Sequence, residues 1–311
     1  MQWEKLGMIY CRNPLENQNS WWRSHTLAPT AIQLNKLEIR IYVGGLDEKG
    51  ISRIGSIDVD AQNPLHIIRI SKYPVLDIGR AGTFDENGVF PAHAYLMDDE
   101  VRLYYTGFQL GFQVPHFNFG GLAIGGKEEN NLVRHSQAPI MDRADEGLSV
   151  RAGQSILPTN EGYEVAYSAG STWVETGGKL RPCYDIYMQN SMDGLVISPF
   201  GNRIIEHNPL IEHGLGRPQI IKLGNNKYIF YTRRMLGMKY FFGYAHFDQS
   251  LNKWERIDNI TGLDHSANGF DSEMVYFPSV LEVPLFNKTY IFYSGNNFGE
   301  SGLGVGVKVS N

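Results

Sequence analysis

The sequence predicts an all-β fold, a five-bladed β-propeller of four-stranded antiparallel blades. Three observations carry that prediction. A strand motif recurs five times at a near-constant period, a proline stands at a similar distance before four of the copies, and one copy is split between the two ends of the chain. A fixed period of tens of residues marks stacked units, none of which can bury its apolar face alone.

The repeated motif is an apolar strand ending in a tyrosine and a small or polar residue. It reads Arg40-Ile41-Tyr42-Val43, Leu103-Tyr104-Tyr105-Thr106, Val165-Ala166-Tyr167-Ser168, Ile229-Phe230-Tyr231-Thr232 and Ile291-Phe292-Tyr293-Ser294. Tyrosines 42, 105, 167, 231 and 293 are 63, 62, 64 and 62 residues apart and are read as packing residues between blades. Pro29, Pro91, Pro218 and Pro278 precede their tyrosines by 13, 14, 13 and 15 residues, and Gly153-Gln154-Ser155 takes that place in the third copy. Proline is tolerated where a strand begins, because its missing N–H falls at the end of the ladder. The prolines are therefore expected to open the innermost strands.

A third, glycine-rich strand follows in each unit, as in Gly120-Gly121-Leu122-Ala123 and Phe242-Gly243-Tyr244-Ala245, and a more polar fourth strand lies outside it, as in Leu65–Ile70. The fifth unit reaches Asn311 after only three strands. Its fourth is expected at the other end, where Gln2-Trp3-Glu4-Lys5 repeats the pattern of Lys253-Trp254-Glu255-Arg256. Counted through the chain ends, Trp254 and Trp3 are 60 residues apart, one period. The expected organisation is one domain over residues 1–311, with blades at roughly 21–75, 82–140, 143–206, 210–262 and 268–311 plus 2–11. The N-terminal strand closes the ring and removes two exposed sheet edges.

Composition fits a globular chain, with 42% apolar and 20% charged residues, and 34 glycines and 14 prolines mark many turns. A net charge of −5 and a pI near 6 argue against nucleic acid or an anionic membrane as the main partner. The N-terminal segment shows no basic region leading into an apolar stretch, and no membrane-length apolar run follows, so a cytoplasmic location is expected. Cys11 and Cys183 lack disulfide or metal spacing. The pair Glu206-His207 and Glu212-His213 is the only histidine–carboxylate cluster, and the expectation is no metal and no cofactor.

In a propeller the first strand of each blade lines the central channel, so the loops leading into those strands are where chemistry is expected. Asp85, Asp271 and Glu273 are the candidate catalytic carboxylates. Glycoside cleavage needs one acid to protonate the leaving oxygen and a second group to attack or to activate water. Asp85 and Asp271 also fit a purely loop-shaping role beside their glycines. Arg23, His25, Asn87, Arg151, Arg217 and Arg233 are candidates for substrate binding: arginines there clamp a carboxylate or phosphate, or else neutralise neighbouring acids in a structural network. Trp22 and Tyr276 are candidate stacking platforms for sugar faces, together with Trp21, Trp173 and Phe298. Phosphate-loop, GxSxG and HExxH signatures are absent from the sequence.

Several of these segments resemble one family group in the same order along nearly the whole chain. They are Ser24-His25 through Pro29, Gly82–Pro91 with Leu103–Gly107, Gly216-Arg217-Pro218, and Asp271-Ser272-Glu273-Met274 through Tyr293-Ser294-Gly295-Asn296. The chain resembles bacterial five-bladed propeller proteins related to glycoside hydrolase families 32, 43 and 130. The resemblance implies a furanosidase-like fold, action on or recognition of glycans, and a link to bacterial surface polysaccharides. Families 32 and 43 place a catalytic aspartate on the first blade, where this sequence has His25 and no carboxylate. Family 130 pairs one acid with basic residues that hold phosphate, a role that His25, Arg151 and Arg217 would suit.

The leading expectation is a glycoside hydrolase-type enzyme acting on a saccharide, anionic or phosphorylated, in the funnel. A phosphorolytic or glycosyl-transferring enzyme and a non-catalytic glycan-binding propeller are the alternatives.

Overall fold

The computed structural model describes residues 1–15, 20–128, 131–237, 239–258 and 260–309; Asn311, where the fifth unit runs out, lies outside them. The N-terminal strand β1 (Trp3–Tyr10) is followed by β2 (Ser24–Gln33), β3 (Glu38–Leu46), β4 (Ser52–Asp60) and β5 (Ile67–Ile70), an antiparallel meander forming unit 1. Unit 2 comprises β6 (Val89–Met97), β7 (Glu100–Leu110), β8 (His116–Gly126) and β9 (Val133–Arg134). Unit 3 comprises β10 (Val150–Thr159), β11 (Gly162–Thr176), β12 (Lys179–Ser191) and β13 (Asn202–Ile205). Unit 4 comprises β14 (Glu212–Leu223), β15 (Asn226–Met235), β16 (Tyr240–Asp248) and β17 (Lys253–Ile257). In unit 5, β18 (Tyr276–Val283), β19 (Lys288–Ser294) and β20 (Leu303–Lys308) are completed by β1, which pairs antiparallel with β20 from Trp3↔Lys308 to Tyr10↔Leu303. This all-β array of four-stranded antiparallel units is a β-propeller fold.

The apolar core lies between units rather than within them. Ile32 and Tyr42 of unit 1 pack with Leu103 and Tyr105 of unit 2, and Phe230 and Tyr244 of unit 4 pack with Val280 and Ile291 of unit 5. Trp3, only 2% exposed, joins the second of these clusters and meets Phe230 edge-on at 6.2 Å. The strand β1 thus contributes a buried anchor as well as a ladder of hydrogen bonds. First and last units also meet directly, where the Ser279 hydroxyl accepts from Ala31 N at 3.0 Å and Ser294 Oγ donates to Thr26 O at 2.7 Å.

The recurrent tyrosines are fully buried, as the packing reading requires. Their seats explain the glycine-rich third strands. A Cβ at Gly121 would lie 2.3 Å from the Tyr105 ring, and one at Gly243 would lie 2.4 Å from the Tyr231 ring.

The prolines depart from expectation. They stand inside the innermost strands, not at their first residues, because each of those strands carries a bulge beside the proline or its glycine counterpart. Register shifts fall at Leu27/Thr30, Pro91/His93, Ala152/Ser155, Gly216/Gln219 and Tyr276/Ser279. A proline at a bulge withholds no ladder donor. Four of the bulges hold a residue in the left-handed region: Ala28 at φ 55°, Gly153 at φ 70°, Arg217 at φ 48° and Phe277 at φ 51°. Non-glycine residues there are uncommon and persist only where the surroundings over-determine them.

Candidate functional site

The innermost strands frame two cavities. One is a small apolar pocket among Ile32, Leu96, Leu157, Ile221 and Leu281. The other, about 310 Å³, draws on all five units: His25 and Leu27 from unit 1, Phe90 and Phe108 from unit 2, Arg181 and Tyr184 from unit 3, Arg217 and Arg234 from unit 4, and Tyr276 and Phe298 from unit 5. Parallel pairings tighten its wall, Val150↔Asn118 joining β10 to β8 and Tyr184↔Gly214 joining β12 to β14. The unusually long hairpin β11–β12 brings Leu180, Arg181 and Pro182 over one side.

Arg217 lines the larger cavity. Its guanidinium, 4% exposed, donates to Ala92 O at 3.0 Å, Phe277 O at 3.2 Å and Pro29 O at 2.6 Å, and also to Thr30 Oγ1. One side chain of unit 4 therefore ties units 1, 2 and 5 together. The left-handed bulge at Arg217 aims it inward. Burial without a carboxylate partner pulls its pKa down to about 9, so it keeps its charge at neutral pH.

Arg181, Arg217 and Arg234 line the larger cavity together, and among the described residues no Asp or Glu does so. Arg234 donates to the Tyr184 hydroxyl and lies over the rings of Tyr184, Tyr240 and Tyr276 at 5.7, 5.0 and 6.0 Å. Nearby histidines are held neutral. Burial, reinforced by Arg234 and Arg181, lowers His116 to about 4, and burial with Arg234 lowers His213 to about 3. The His213 ring donates through Nδ1 to Pro182 O at 3.0 Å, which leaves Nε2 to accept from Tyr240 Oη at 3.3 Å. Burial also lowers His25, against the pull of Glu300 and Asn297, and its Nδ1 meets Ser24 Oγ at 2.9 Å.

Of the sequence candidates, His25, Arg217, Tyr276 and Phe298 line the cavity. The carboxylates Asp85, Asp271 and Glu273 do not. Asp85 is wholly buried and accepts from Tyr105 Oη at 3.0 Å, Thr83 Oγ1 at 2.8 Å and Arg134 Nε at 2.8 Å. Asp271 repeats the arrangement in unit 5, accepting from Tyr293 Oη at 2.9 Å and Lys5 Nζ at 2.7 Å. Burial opposes the charge of Asp271, but Lys5, Ser266 and Tyr293 outweigh it and hold its pKa below the ordinary carboxylate value. The loops of units 2 and 5 are thus alike, and in these two the packing tyrosine, Tyr105 or Tyr293, is also a hydrogen-bond donor to a buried acid.

Arg151 belongs to a third such clamp. It pairs with Glu146 at 2.8 Å, and Glu146 also accepts from Tyr167 Oη at 2.6 Å. Arg233 pairs with Glu212 at 2.6 Å outside the cavity wall. Trp22 is 1% exposed, with its indole N–H given to His25 O at 2.6 Å, so no ring face is open for stacking. Arg23 is half-buried at the strand edge, where its N–H donates to Leu46 O. Asn87 Oδ1 accepts from Leu110 N at 2.9 Å. Glu273 is exposed, and among the described residues only its backbone N–H is engaged, by Asn296 Oδ1 at 2.7 Å. The Glu206/His207/Glu212/His213 cluster is dispersed: His207 meets Asp185 at 2.6 Å while Glu212 is held by Arg233 and Arg256. Among the described residues no group of three His, Cys, Asp or Glu side chains could hold a metal ion, and no helix is long and apolar enough to cross a membrane.

Arg181, Arg234, Tyr184 and His116 were not singled out from sequence. They lie on second and third strands, where the repeat predicts packing. The available signals were the Arg233-Arg234 doublet directly after a recurrent Tyr-Thr and the extra length of the β11–β12 hairpin.

Comparison with known proteins agrees with this architecture. No known family profile matches the chain. Uncharacterized protein Rv1502 of Mycobacterium tuberculosis is 27% identical over 307 residues, 99% of each chain. Among solved structures, one described under the GH130 family of mannoside phosphorylases superposes with a TM-score of 0.71 at 14% identity, over 98% of this chain and 93% of that one. BT0996, in a complex with RGII, gives 0.67 at 16% identity, over 99% and 92%. A thermostable family-43 glycoside hydrolase gives 0.66 at 15% identity, over 91% and 89%. At these identities the likeness is one of fold, and the structural neighbours are propellers of the glycoside hydrolase and phosphorylase kind.

Proposed function

We propose that this chain is a glycan-recognising propeller whose larger cavity takes a saccharide bearing negative charge. The observation that carries the reading is the wall itself: three arginines, neutral histidines and six aromatic rings, with no carboxylate among the described lining residues. Aromatic rings suit the C–H faces of a sugar, and arginines suit carboxylate or phosphate oxygens. The names borne by the structural neighbours support a saccharide as ligand. Cleavage by paired carboxylates finds less support, because Asp85 and Asp271 are engaged in buried clamps away from the cavity wall.

The test is a glycan array of acidic and neutral oligosaccharides probed with the full chain. Acidic members are expected to be retained, and Tyr276→Ala or Phe298→Ala to abolish retention. Retention that survives both changes would place the site elsewhere and sink the reading. The hydrolytic alternative rests on Glu273, whose carboxylate has no partner among the described residues. If a retained glycan is turned over, and Glu273→Gln stops turnover without weakening retention, hydrolysis replaces binding as the function.

A further inference from the structure

Two of the three cavity arginines differ from the third in what their donors are doing. Arg217 spends its fork on Ala92, Phe277, Pro29 and Thr30. The Nε–H groups of Arg181 and Arg234 are buried and have no hydrogen-bond partner among the described residues. A third lining residue on the same side, Asn118, has its Oδ1 in the same condition, and so does the indole N–H of Trp173, whose ring meets His116 edge-on at 5.3 Å. Buried donors are almost always satisfied, and an unsatisfied charged one is among the most costly defects a fold can carry. Here two such charged donors, Arg181 and Arg234 of units 3 and 4, line one cavity, with the unpaired Asn118 acceptor of unit 2 in the same lining.

Both guanidiniums act on the same neighbours. Arg181 and Arg234 each depress His116 and His213 electrostatically, which places the two charges around one locus. Tyr184 adds a donor, because its oxygen accepts from Arg234 and its proton is engaged by no group among the described residues. The rest of the lining has a different character. Leu27, Leu46, Phe90, Phe108 and Phe298 come from units 1, 2 and 5 and present apolar surface, with Phe108 stacked on His116 at 4.6 Å.

From this division, and resting on the saccharide reading above, we infer that Arg181 and Arg234 form a two-arginine clamp for the oxyanion of the bound sugar, a phosphoryl or carboxylate group, with the C–H-rich part of the ligand against the aromatic wall. Arg217 is the floor and not part of the clamp. The ligand is thereby oriented: its charge faces units 3 and 4 and its apolar face the other three.

Calorimetric titration of the full chain with a hexose 1-phosphate, a hexuronic acid, the neutral hexose and inorganic phosphate tests the clamp. At least one charged sugar is expected to bind about tenfold or more tightly than the neutral hexose, and the stronger of the two identifies the oxyanion. Arg181→Gln and Arg234→Met are each expected to remove that advantage, lowering the affinity of the charged sugar roughly tenfold to a hundredfold, toward that of the neutral hexose. Arg181 Nε has no partner to lose, so its variant keeps the test open if the Arg234 change prevents folding. Wild-type affinity in both variants would overturn the clamp and leave the saccharide reading standing; equal binding of charged and neutral sugars would overturn the clamp and the ligand's negative charge, and leave a saccharide as the ligand. Phosphate binding that depends on Arg181 and Arg234, with no sugar bound, would keep the clamp and overturn the saccharide reading. No binding of any of the four at millimolar concentration overturns both.

Discussion

The cavity wall and the clamps behind it use the same residue types to opposite ends. In the clamps Asp85, Glu146 and Asp271 each meet a buried tyrosine hydroxyl and a base, Arg134, Arg151 or Lys5, so that charge is cancelled within a few ångströms. In the cavity Arg181, Arg217 and Arg234 share one lining with several rings, with no acid among the described lining residues to answer them. The first arrangement is complete without a ligand; the second is not. An arginine or aspartate in a loop near the channel therefore says little about function until its partners are known.

Acid should separate the two regions most strongly. His93, His116 and His213 are held neutral by burial, with pKa values of about 3, 4 and 3. An unfolded histidine takes up a proton below about 6.5 and these do not, so stability falls as pH drops from 6.5 and levels off only below the folded values. The expected loss between pH 6.5 and 5 is roughly 2 kcal/mol for each histidine. Urea melts at pH 7, 6 and 5 read this directly, and His93→Gln should flatten the slope by about a third. The Asp271 clamp is lost in the same direction but in a lower window. Its lowered pKa makes its contribution complete above the ordinary carboxylate pKa, and that contribution is lost as pH falls below this value and through the folded one.

Breaking a clamp comes next. Asp85→Ala leaves Arg134 and Tyr105 facing a buried void and should cost about 3–5 kcal/mol in chemical denaturation. Ligand affinity per folded molecule should stay within twofold, and a selective loss of binding would return Asp85 to the site. Gly121→Ala drives a methyl into the Tyr105 ring and should cost about 1–3 kcal/mol, read as a lower melting temperature, again without changing affinity. The smallest effect belongs to Glu273→Gln. Its exposed side chain should shift stability by less than about 0.5 kcal/mol, so any large change in activity from that variant is chemical and not structural.

The periodic part of this molecule was open to reading in the sequence, because packing between units repeats and so leaves a repeating trace. Tyr42 through Tyr293 mark the second strands, and Trp3 and Trp254 mark the split unit that β1 completes by pairing with β20. The site lies where the repeat is broken, and a break leaves no period to follow. Loops before the inner strands drew attention to Asp85 and Asp271, yet their partners are a tyrosine 20 or 22 residues onward and a base farther still, a relation only the folded register creates. Arg181 and Arg234 stand on strands that the repeat assigns to packing. What raises them into the cavity is the length of one hairpin and the parallel pairing of β12 with β14.

The central tie made by Arg217 has a consequence for assembly. Its acceptors on units 1, 2 and 5 lie 188, 125 and 60 residues from it along the chain. No smaller group of units offers the full set, so an intermediate lacking any one of them holds a cation in a dry interior with donors to spare. Such a centre works as an inspection point: partly built forms are penalised at the axis, and the finished molecule is expected to open all together, exposing cleavable strands to proteases only by passing through global unfolding.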